Sequence, residues 1–467
     1  MLWKPPFRTA SSCSFPIPSA FFLLMQRAVR PVCRAFSFWH VVMHKCDFHS
    51  TCPACHSRAR AIGDHALDLG DISALLRARP AGHSLPQGLY TGAAAFEFDL
   101  AAIFGNSWLF AGFEAEIKKP GDYLSFMVGR WPVIILHGRD GELRAFHNSC
   151  RHRGSILCKP GEGHVTRLVC PYHSWTYGLD GRLLAASRMP EDFQKNEHGL
   201  KPVHLERIAG AIFICLAGTP PDISVMRSDL TPLLAPHDLQ HAKLAYQSTL
   251  VENANWKLVM ENGRECYHCA SGHPELSASF PINASAYFDF EDDTAARYEA
   301  RMADLGIPIG PAGEDWWQAV RFPLNDGTVA MSTSGQFSVN TLMCDLGGGN
   351  TGSLRWAIEP NNFCHSTSEY TFAFTAIPVS PTETHVVSKW LVHEDAVEGV
   401  DYDLDTLTHL WTQTNLQDKE FAENNQLGVN SPGYTPGPYS PAAESLTLRF
   451  VDWYCAKAAT YLEQFEA

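Results

Sequence analysis

The chain has 467 residues, of which 45% are hydrophobic and 18% charged. At roughly 100 to 200 residues per domain this length predicts two to four folded units, which excludes disorder as a description of the whole chain. Residues 1–60 carry eight Lys/Arg and one acid, and the rest carries 28 Lys/Arg and 49 Asp/Glu. The net negative charge of residues 61–467 disfavours nucleic acid as a partner and favours a cationic substrate.

The sequence of the basic N-terminal extension, residues 1–65, does not have the pattern of a folded domain. Its charge and near absence of acid fit an organellar transit peptide, and a start codon set too far upstream explains it equally well. Cys52-Pro-Ala-Cys55-His56 matches the haem-attachment pattern, but no secretory signal precedes it. The longest apolar run here, residues 15–25, is shorter than the roughly 20 residues of a membrane span, so we expect a soluble protein.

Two domains with different sequence patterns follow, and together these patterns predict an α+β protein. Residues 105–220 hold short β-branched runs and a turn at Gly138-Arg-Asp-Gly141, which predicts an all-β domain. Residues 71–104 and 221–467 are assigned to a second, α+β domain in which helices cover a sheet. Its predicted elements are a helix near 255–270, strands at 370–378 and 384–392, and helices at 403–427 and 443–464.

The first chemical motif lies in the all-β domain. Cys150-x-His152 is followed after 17 residues by Cys170-x2-His173, and glycines and a proline surround both pairs. Two Cys and two His also suit a structural zinc. Because each pair combines a Cys with a His, folding the loops together can instead place both thiolates on one iron and both imidazoles on another, as in a Rieske [2Fe–2S] cluster. Cysteines near histidines in a long chain further indicate metal binding in a reducing compartment, the cytoplasm.

The stretches CRHRGSILC and CPYHSWTYGLDGRLL resemble the Rieske domain of non-haem iron oxygenase large subunits. Respiratory Rieske proteins carry an additional cysteine in each loop, where this chain has Ser155 and Tyr172. The resemblance therefore favours the oxygenase branch, whose fold is an all-β Rieske domain followed by an α+β helix-grip catalytic domain.

That branch needs a second metal, and His268 and His273 are candidate ligands for it. They stand five residues apart with Gly272 between them, so we expect the helix to loosen at Ser271-Gly272 and turn the second histidine inward. Two histidines and one carboxylate on one face of an iron leave positions free for oxygen. The alternative is that both histidines lie on the surface and bind nothing.

Asp418 is the predicted third ligand. It falls on the otherwise apolar stripe of the 403–427 helix, whereas Glu420 points the other way. An acid on a buried stripe is costly unless it is paired or metal-bound. Asn415-Leu-Gln-Asp418 and the following NSPGYTPGPYSP also resemble the C-terminal region of the same oxygenases.

Glu265 lies three residues before His268, on the same helical face. The resemblance implies that an acid here bridges a Rieske histidine to an iron-ligand histidine across the subunit boundary of a homotrimer. Most ring-hydroxylating members have Asp at this position. Glu in an ECYHC context, with NWKLVMENGRECYHCASGHPEL, KWLVHEDAVEGVDYD and QLGVNSPGYTPGPYSP, resembles the branch that demethylates quaternary ammonium compounds, glycine betaine above all.

The function implied is an oxygenase component that uses O2 to hydroxylate an N-methyl group of a betaine and so releases formaldehyde. Its electrons would come from NAD(P)H through a separate flavin and iron–sulfur reductase, by way of the Rieske cluster, to a mononuclear Fe(II). Alternatives are an aromatic ring-hydroxylating dioxygenase, a choline-type monooxygenase, and a protein that only transfers electrons or binds zinc.

A cationic substrate would suit aromatic surroundings. Five aromatic residues follow the two histidines, and they could line a pocket or simply form core: Phe280, Tyr287, Trp316, Trp317 and Phe322.

Overall fold

A computed structural model of the chain describes residues 69–282 and 293–466. Nine α-helices are found within these ranges: α1 Leu69–Ala78, α2 Gln87–Thr91, α3 Ala93–Ala102, α4 Ser224–Leu234, α5 Trp256–Asn262, α6 Cys269–Gly272, α7 Thr294–Asp304, α8 Leu404–Val429 and α9 Ser445–Glu466. The predicted extension, its CPACH motif and Tyr287 lie outside the described residues. No helix in the described ranges is long and apolar enough to cross a membrane.

The same ranges contain ten strands before α4 and seven after it. The first ten are β1 Leu109–Phe113, β2 Asp122–Val128, β3 Trp131–His137, β4 Leu143–His147, β5 Gly161–His164, β6 Leu168–Val169, β7 Thr176–Tyr177, β8 Leu183–Ala185, β9 Pro202–Ile208 and β10 Ala211–Cys215. The other seven are β11 Ala242–Glu252, β12 Ala312–Glu314, β13 Trp317–Phe322, β14 Ser353–Ile358, β15 Asn362–Ser366, β16 Thr371–Ser380 and β17 Glu383–His393.

The first unit, which comprises strands β1 to β10, is all-β, as its alternating sequence predicts. Its main sheet is antiparallel with the strand order β1-β10-β9-β4-β3-β2-β5, and β6-β7-β8 form a small second sheet. The predicted turn between β3 and β4 is confirmed, because Gly138 N–H donates to Glu142 and Gly141 has a left-handed φ of +83°. Such a φ suits glycine, which has no Cβ to clash.

The second unit is a seven-stranded antiparallel sheet, β11-β17-β16-β15-β14-β13-β12. Helices α5 and α8 cover one of its faces, α9 packs on α5, and all three share a continuous apolar core with the sheet. The predicted strands and the two long C-terminal helices are confirmed within a few residues. An apolar cleft of about 420 Å³ lies between this sheet and the first unit.

The predicted helix near 255–270 is interrupted, because α5 ends at Asn262 and residues 263–268 are not helical before α6 begins at Cys269. Asn262 and Gly263 are poor helix formers, and the next residue, Arg264, turns toward the sheet to pair with Glu359. The chain then passes through turns until the single turn of α6.

Helices α1 and α3 pack on α9, although a whole β unit separates them in sequence. Arg79 forms an ion pair with Asp452, and the buried Asp99 accepts hydrogen bonds from Trp256, Lys257 and Tyr454. On these contacts we propose the domain limits 105–220 for the first unit and 71–104 with 221–467 for the second.

Candidate metal centres

Two loops of the first unit bring Cys150, His152, Cys170 and His173 together. In each loop the cysteine N–H donates to the carbonyl oxygen five residues further on, at 2.8 Å. Both cysteines are buried, whereas the imidazoles lie at the rim with their Nδ1 atoms 3.2 Å apart. This arrangement, with thiols inside and imidazoles outside, suits a cluster with two chemically different irons.

The electrostatics of these loops favour the metal-binding forms. Burial raises the pKa of the Cys170 thiol, but backbone N–H groups of Tyr172 and His173 outweigh it and the pKa is lowered. Burial and the neighbouring His152 lower the pKa of His173. Metals bind thiolates and neutral imidazoles. The Tyr177 hydroxyl lies 3.3 Å from Cys150 Sγ, where it can hydrogen-bond a thiolate.

A second cluster joins three side chains from segments about 150 residues apart. Nε2 of His268, Nε2 of His273 and Oδ1 of Asp418 lie 3.0 to 3.2 Å from one another. The Cys269 Sγ is also within 4.8 Å of the histidine nitrogens, but it forms a disulfide with Cys266. The carboxylate of Asp418 is therefore the candidate third donor of this cluster.

The backbone explains how the two histidines converge. Helix α6 ends at Gly272, and His273 leaves it with φ −126° and ψ 74°, so its side chain turns inward and is 1% exposed. The loosening expected at Gly272 is thus confirmed. Asp418 lies on the partly buried face of α8 with Trp411 and Ala422, and Glu420 is exposed, as the apolar stripe predicts.

The two histidines beside Asp418 favour its ionised form. Burial opposes ionisation of Asp418, but hydrogen bonds with His268 and His273 outweigh it and lower its pKa. Burial likewise opposes the charged form of His268, yet Asp418 and Glu265 raise its pKa to about 9. A divalent cation would replace the protons shared among these groups, because metal and proton compete for the same ring nitrogen.

Glu265 contacts the same cluster from outside. Its Oε1 lies 2.5 Å from Nδ1 of His268, and its other oxygen accepts from the Tyr267 N–H. Holding the Nδ1 proton presents Nε2 to the cluster, as outer carboxylates do for metal-bound histidines. Tyr267 is 69% exposed, so Glu265 stands next to the molecular surface.

Three residues around this cluster were not predicted from the sequence: Gln417, Glu275 and Phe421. Gln417 Oε1 lies 2.8 Å from Nδ1 of His273, and Gln417 in turn donates to Glu275 at 2.8 Å. The Phe421 ring lies 5.4 Å from that of His268 and 6.1 Å from that of His273. Gln417 and Glu275 are each within two residues of a predicted ligand, which is the signal that could have identified them.

The aromatic residues considered from the sequence fall into two groups. Phe280 and Phe322 contact each other on the helix-covered side of the second sheet, in the core that includes α5 and α8. Trp317 belongs to the core on the opposite side, and Trp316 packs against both. The structure thus separates Trp317 from the candidate iron site.

The donor sets fit the groups that the sequence implies. Two buried thiols facing two rim imidazoles match a Rieske cluster. Two imidazoles and one carboxylate whose donor atoms converge match the ligand set of a mononuclear Fe(II) with open coordination positions.

Comparison with known proteins identifies the family. The Rieske [2Fe-2S] domain family matches residues 107–201, and the ring hydroxylating alpha subunit (catalytic domain) family matches residues 239–459. The chain is 44% identical over 400 residues to the glycine betaine monooxygenase oxygenase subunit of Pseudomonas aeruginosa strain UCBPP-PA14, covering 84% of this chain and 93% of that protein. The chain belongs to the Rieske non-haem iron oxygenases.

Further relatives of this Rieske oxygenase agree with the family. The glycine betaine monooxygenase oxygenase subunit of Chromohalobacter salexigens is 42% identical, covering 81% of this chain and 87% of that protein. Among solved structures, a quaternary ammonium Rieske monooxygenase in complex with L-carnitine superposes with a TM-score of 0.61 at 22% identity, over 82% of this chain and 98% of that one. That likeness shows the fold.

The family also establishes the cofactors and the type of partner. This Rieske oxygenase uses a Rieske [2Fe–2S] cluster and a mononuclear iron. As an oxygenase subunit it works with a separate reductase, which supplies electrons from NAD(P)H, and with a small substrate. The predicted α+β fold, a Rieske domain with a mixed catalytic domain, is confirmed.

Proposed function

We propose that this Rieske oxygenase hydroxylates an N-methyl group of a betaine-type quaternary ammonium compound, and that glycine betaine is its substrate. The observation that carries the proposal is the 44% identity across 93% of a glycine betaine monooxygenase oxygenase subunit. It is supported by the convergence of His268, His273 and Asp418 beside Glu265, the residue at which most ring-hydroxylating relatives have Asp.

The proposed ligands follow from the two donor sets. Cys150, His152, Cys170 and His173 would hold the Rieske cluster, and His268, His273 and Asp418 would hold the mononuclear iron. When bound, the cluster supplies electrons and the iron supplies oxygen activation. Glu265 orients His268 by accepting a hydrogen bond from its Nδ1–H, and the side-chain oxygen of Gln417 accepts one from the Nδ1–H of His273.

The overall reaction balances without any further reactant. One methyl C–H bond, O2, two electrons and two protons give an N–CH2OH group and one water. The N-hydroxymethyl ammonium then loses a proton and its C–N bond, which yields formaldehyde and dimethylglycine. The role of the protein is to position one methyl group and exclude bulk water.

We further propose a homotrimer in which the Rieske loops of one subunit dock beside Glu265 of the next. Tyr267 and Phe421 are exposed beside the candidate iron site, and Ile156 and Tyr172 are exposed on the Rieske loops. Exposed apolar side chains around both centres suit an interface between them. We place the enzyme in the cytoplasm, where the seven unpaired cysteines of the described ranges would stay reduced.

Aromatic ring hydroxylation is the second candidate, because the matching catalytic-domain family is that of ring hydroxylating subunits. The two functions differ in product. The purified chain, with reductase, NADH and O2, should release one formaldehyde per NADH from glycine betaine, with choline, stachydrine and carnitine as comparison substrates. Hydroxylation of an aromatic acid without formaldehyde from any of these amines would replace the demethylase proposal by ring hydroxylation.

A further inference from the structure

A disulfide encloses one of the candidate iron ligands. Cys266 and Cys269 are bonded to each other, and Tyr267 and His268 lie between them in the chain. Their Cα atoms are 4.9 Å apart, a separation at which a disulfide forms without displacement of the backbone. The other seven cysteines of the described ranges are unpaired. In the cytoplasm, where we place the enzyme, a disulfide is usually transient and either catalytic or redox-sensing.

The inner sulfur of this disulfide lies beside the candidate iron site. Cys269 is 3% exposed, and its Sγ lies within 4.8 Å of a ring nitrogen of His268 and of one of His273. The Nε2 atoms of these two histidines are 3.0 Å apart. The thiolate is the form of cysteine that binds metals, and a sulfur bonded to Cys266 is not a thiolate. The disulfide thus withholds a soft donor from this site.

Backbone hydrogen bonds hold that donor in place independently of the disulfide. The Cys269 N–H donates to the carbonyl oxygen of Cys266 at 3.2 Å. The His273 N–H donates to the carbonyl oxygen of Cys269 at 2.9 Å. We therefore expect the turn to persist after reduction, with the Cys269 side chain still beside both histidines.

The two sulfurs differ in access to a reductant. Cys266 is half-buried next to the exposed Tyr267, whereas Cys269 is buried. A thiol attacks the sulfur that it can reach, and the other sulfur leaves with the electron pair of the broken S–S bond. Attack at Cys266 therefore releases Cys269 as a thiolate beside the two imidazoles. A second thiol of the same reductant then frees Cys266, so that a dithiol and the disulfide exchange two electrons and two protons.

We propose that the Cys266–Cys269 pair is a redox switch of metal selectivity, in which reduction by a dithiol lets the Cys269 thiolate bind zinc together with His268 and His273. The inference rests on the iron ligands of the proposed function. A thiolate ligand favours zinc, and zinc has no redox chemistry, so the zinc form would be inactive. Peroxide would reverse the switch, because one peroxide converts two thiols to a disulfide and two waters.

The test measures cobalt and zinc binding by the full-length protein, with its Rieske cluster intact and its mononuclear site emptied by a chelator. One sample is oxidised with peroxide and one is reduced with a water-soluble phosphine, which is then removed. In the difference spectrum against metal-free protein, only the reduced sample should show the charge-transfer band of a cobalt–thiolate bond. Its zinc affinity should be at least about tenfold higher, since even partners outside the ligand set change affinity by about 10- to 100-fold.

Two serine variants form a matched pair. Cys266→Ser and Cys269→Ser both abolish the disulfide, but only Cys266→Ser leaves the thiol beside the histidines. Cys266→Ser should show the cobalt–thiolate band and the high zinc affinity with or without phosphine. Cys269→Ser should show neither under any condition. An unchanged Rieske spectrum in both variants confirms that they fold.

Three results would refute the switch. Equal zinc affinities of the two serine variants would show that Cys269 is not a ligand. Absence of the cobalt–thiolate band from both reduced wild type and Cys266→Ser would show the same. Alkylation and mass spectrometry that find both cysteines free in the peroxide-treated protein would show that the pair does not cycle.

The switch and the proposed function fail in different ways, because the metal-binding test uses no substrate. If the wild-type enzyme releases no formaldehyde from glycine betaine but its cobalt–thiolate band depends on phosphine, the switch stands and the proposed substrate is wrong. If glycine betaine is demethylated and zinc inhibits the oxidised and the reduced enzyme equally, the function stands and the switch is refuted.

Discussion

Asp418 illustrates how a single residue acquires a role through its surroundings. On an exposed helix face an aspartate is a solvated charge, whereas here its Oδ1 lies 3.0 Å from His273 and 3.2 Å from His268. Those contacts lower its pKa against the effect of burial. A carboxylate held ionised next to two imidazoles is a ready cation site.

Asp418→Ala should therefore lose the mononuclear iron and all turnover but retain the visible spectrum of the Rieske cluster. Iron content should fall from about three to about two per chain, with acid-labile sulfide unchanged, because the cluster ligands lie in the other unit. Glu420→Ala, on the exposed side of the same helix, should keep all of the iron. Loss of the cluster spectrum in a folded Asp418→Ala protein would contradict the assignment.

At the scale of elements, α5 is held in place by polar contacts at its first turn. The side chain of Asn255 accepts from the Lys257 N–H at 3.0 Å and donates to the carbonyls of Tyr90 and Pro381, both at 2.8 Å. Capping satisfies an N–H that the helix itself cannot bond. Since α5 leads directly to Glu265 and His268, this anchor also sets the position of the candidate iron site.

Asn255→Ala should destabilise the protein by roughly 2 to 4 kcal/mol, through the lost cap and the lost donors to the buried Tyr90 carbonyl and the partly buried Pro381 carbonyl. Asn255→Ser keeps the cap alone and should lie between Asn255→Ala and wild type in thermal midpoint. Equal midpoints for the two variants would mean that the cap itself contributes nothing.

At the scale of the whole molecule, buried ionisable groups connect elements that are distant in sequence. Glu261 of α5 accepts hydrogen bonds from Tyr90 of α2 and from Tyr439, which precedes α9. Burial outweighs these bonds and raises the pKa of Glu261 from 4.5 to about 7. The folded protein therefore holds this proton more tightly than the unfolded chain does.

This group should make stability fall as pH rises from about 4.5 to 7, by up to about 3 kcal/mol. Below that window both states are protonated, and above it both are ionised. Glu261→Gln cannot ionise, so the thermal midpoint of wild type relative to this variant should be higher at pH 5.5 than at pH 8. A difference that does not vary with pH would exclude ionisation of Glu261 in this range.

The proposed trimer is tested by complementation between subunits. His173→Ala should abolish the cluster and His268→Ala the mononuclear iron, so each variant alone should be inactive. In co-assembled trimers some subunit boundaries would join an intact cluster to an intact iron, and part of the activity should return. Verified mixed trimers without activity would show that electrons pass within one chain.

The sequence by itself determined the features that depend on short-range geometry. The spacing of Cys150, His152, Cys170 and His173 predicts two loops because turn residues close each pair locally, and the structure forms both loops. Gly272 predicts the break that turns His273 inward. The apolar stripe of α8 predicts that Asp418 faces the protein interior, since helix periodicity is a local property.

Only the tertiary structure decided which of these local features meet. Arg264, which follows the end of α5, forms an ion pair with Glu359, 95 positions further along the chain. Gln417 of α8 reaches His273 only because helix packing brings the two segments together. Such contacts follow from the packing of a shared core, and their partners cannot be read from the periodicity of either segment alone.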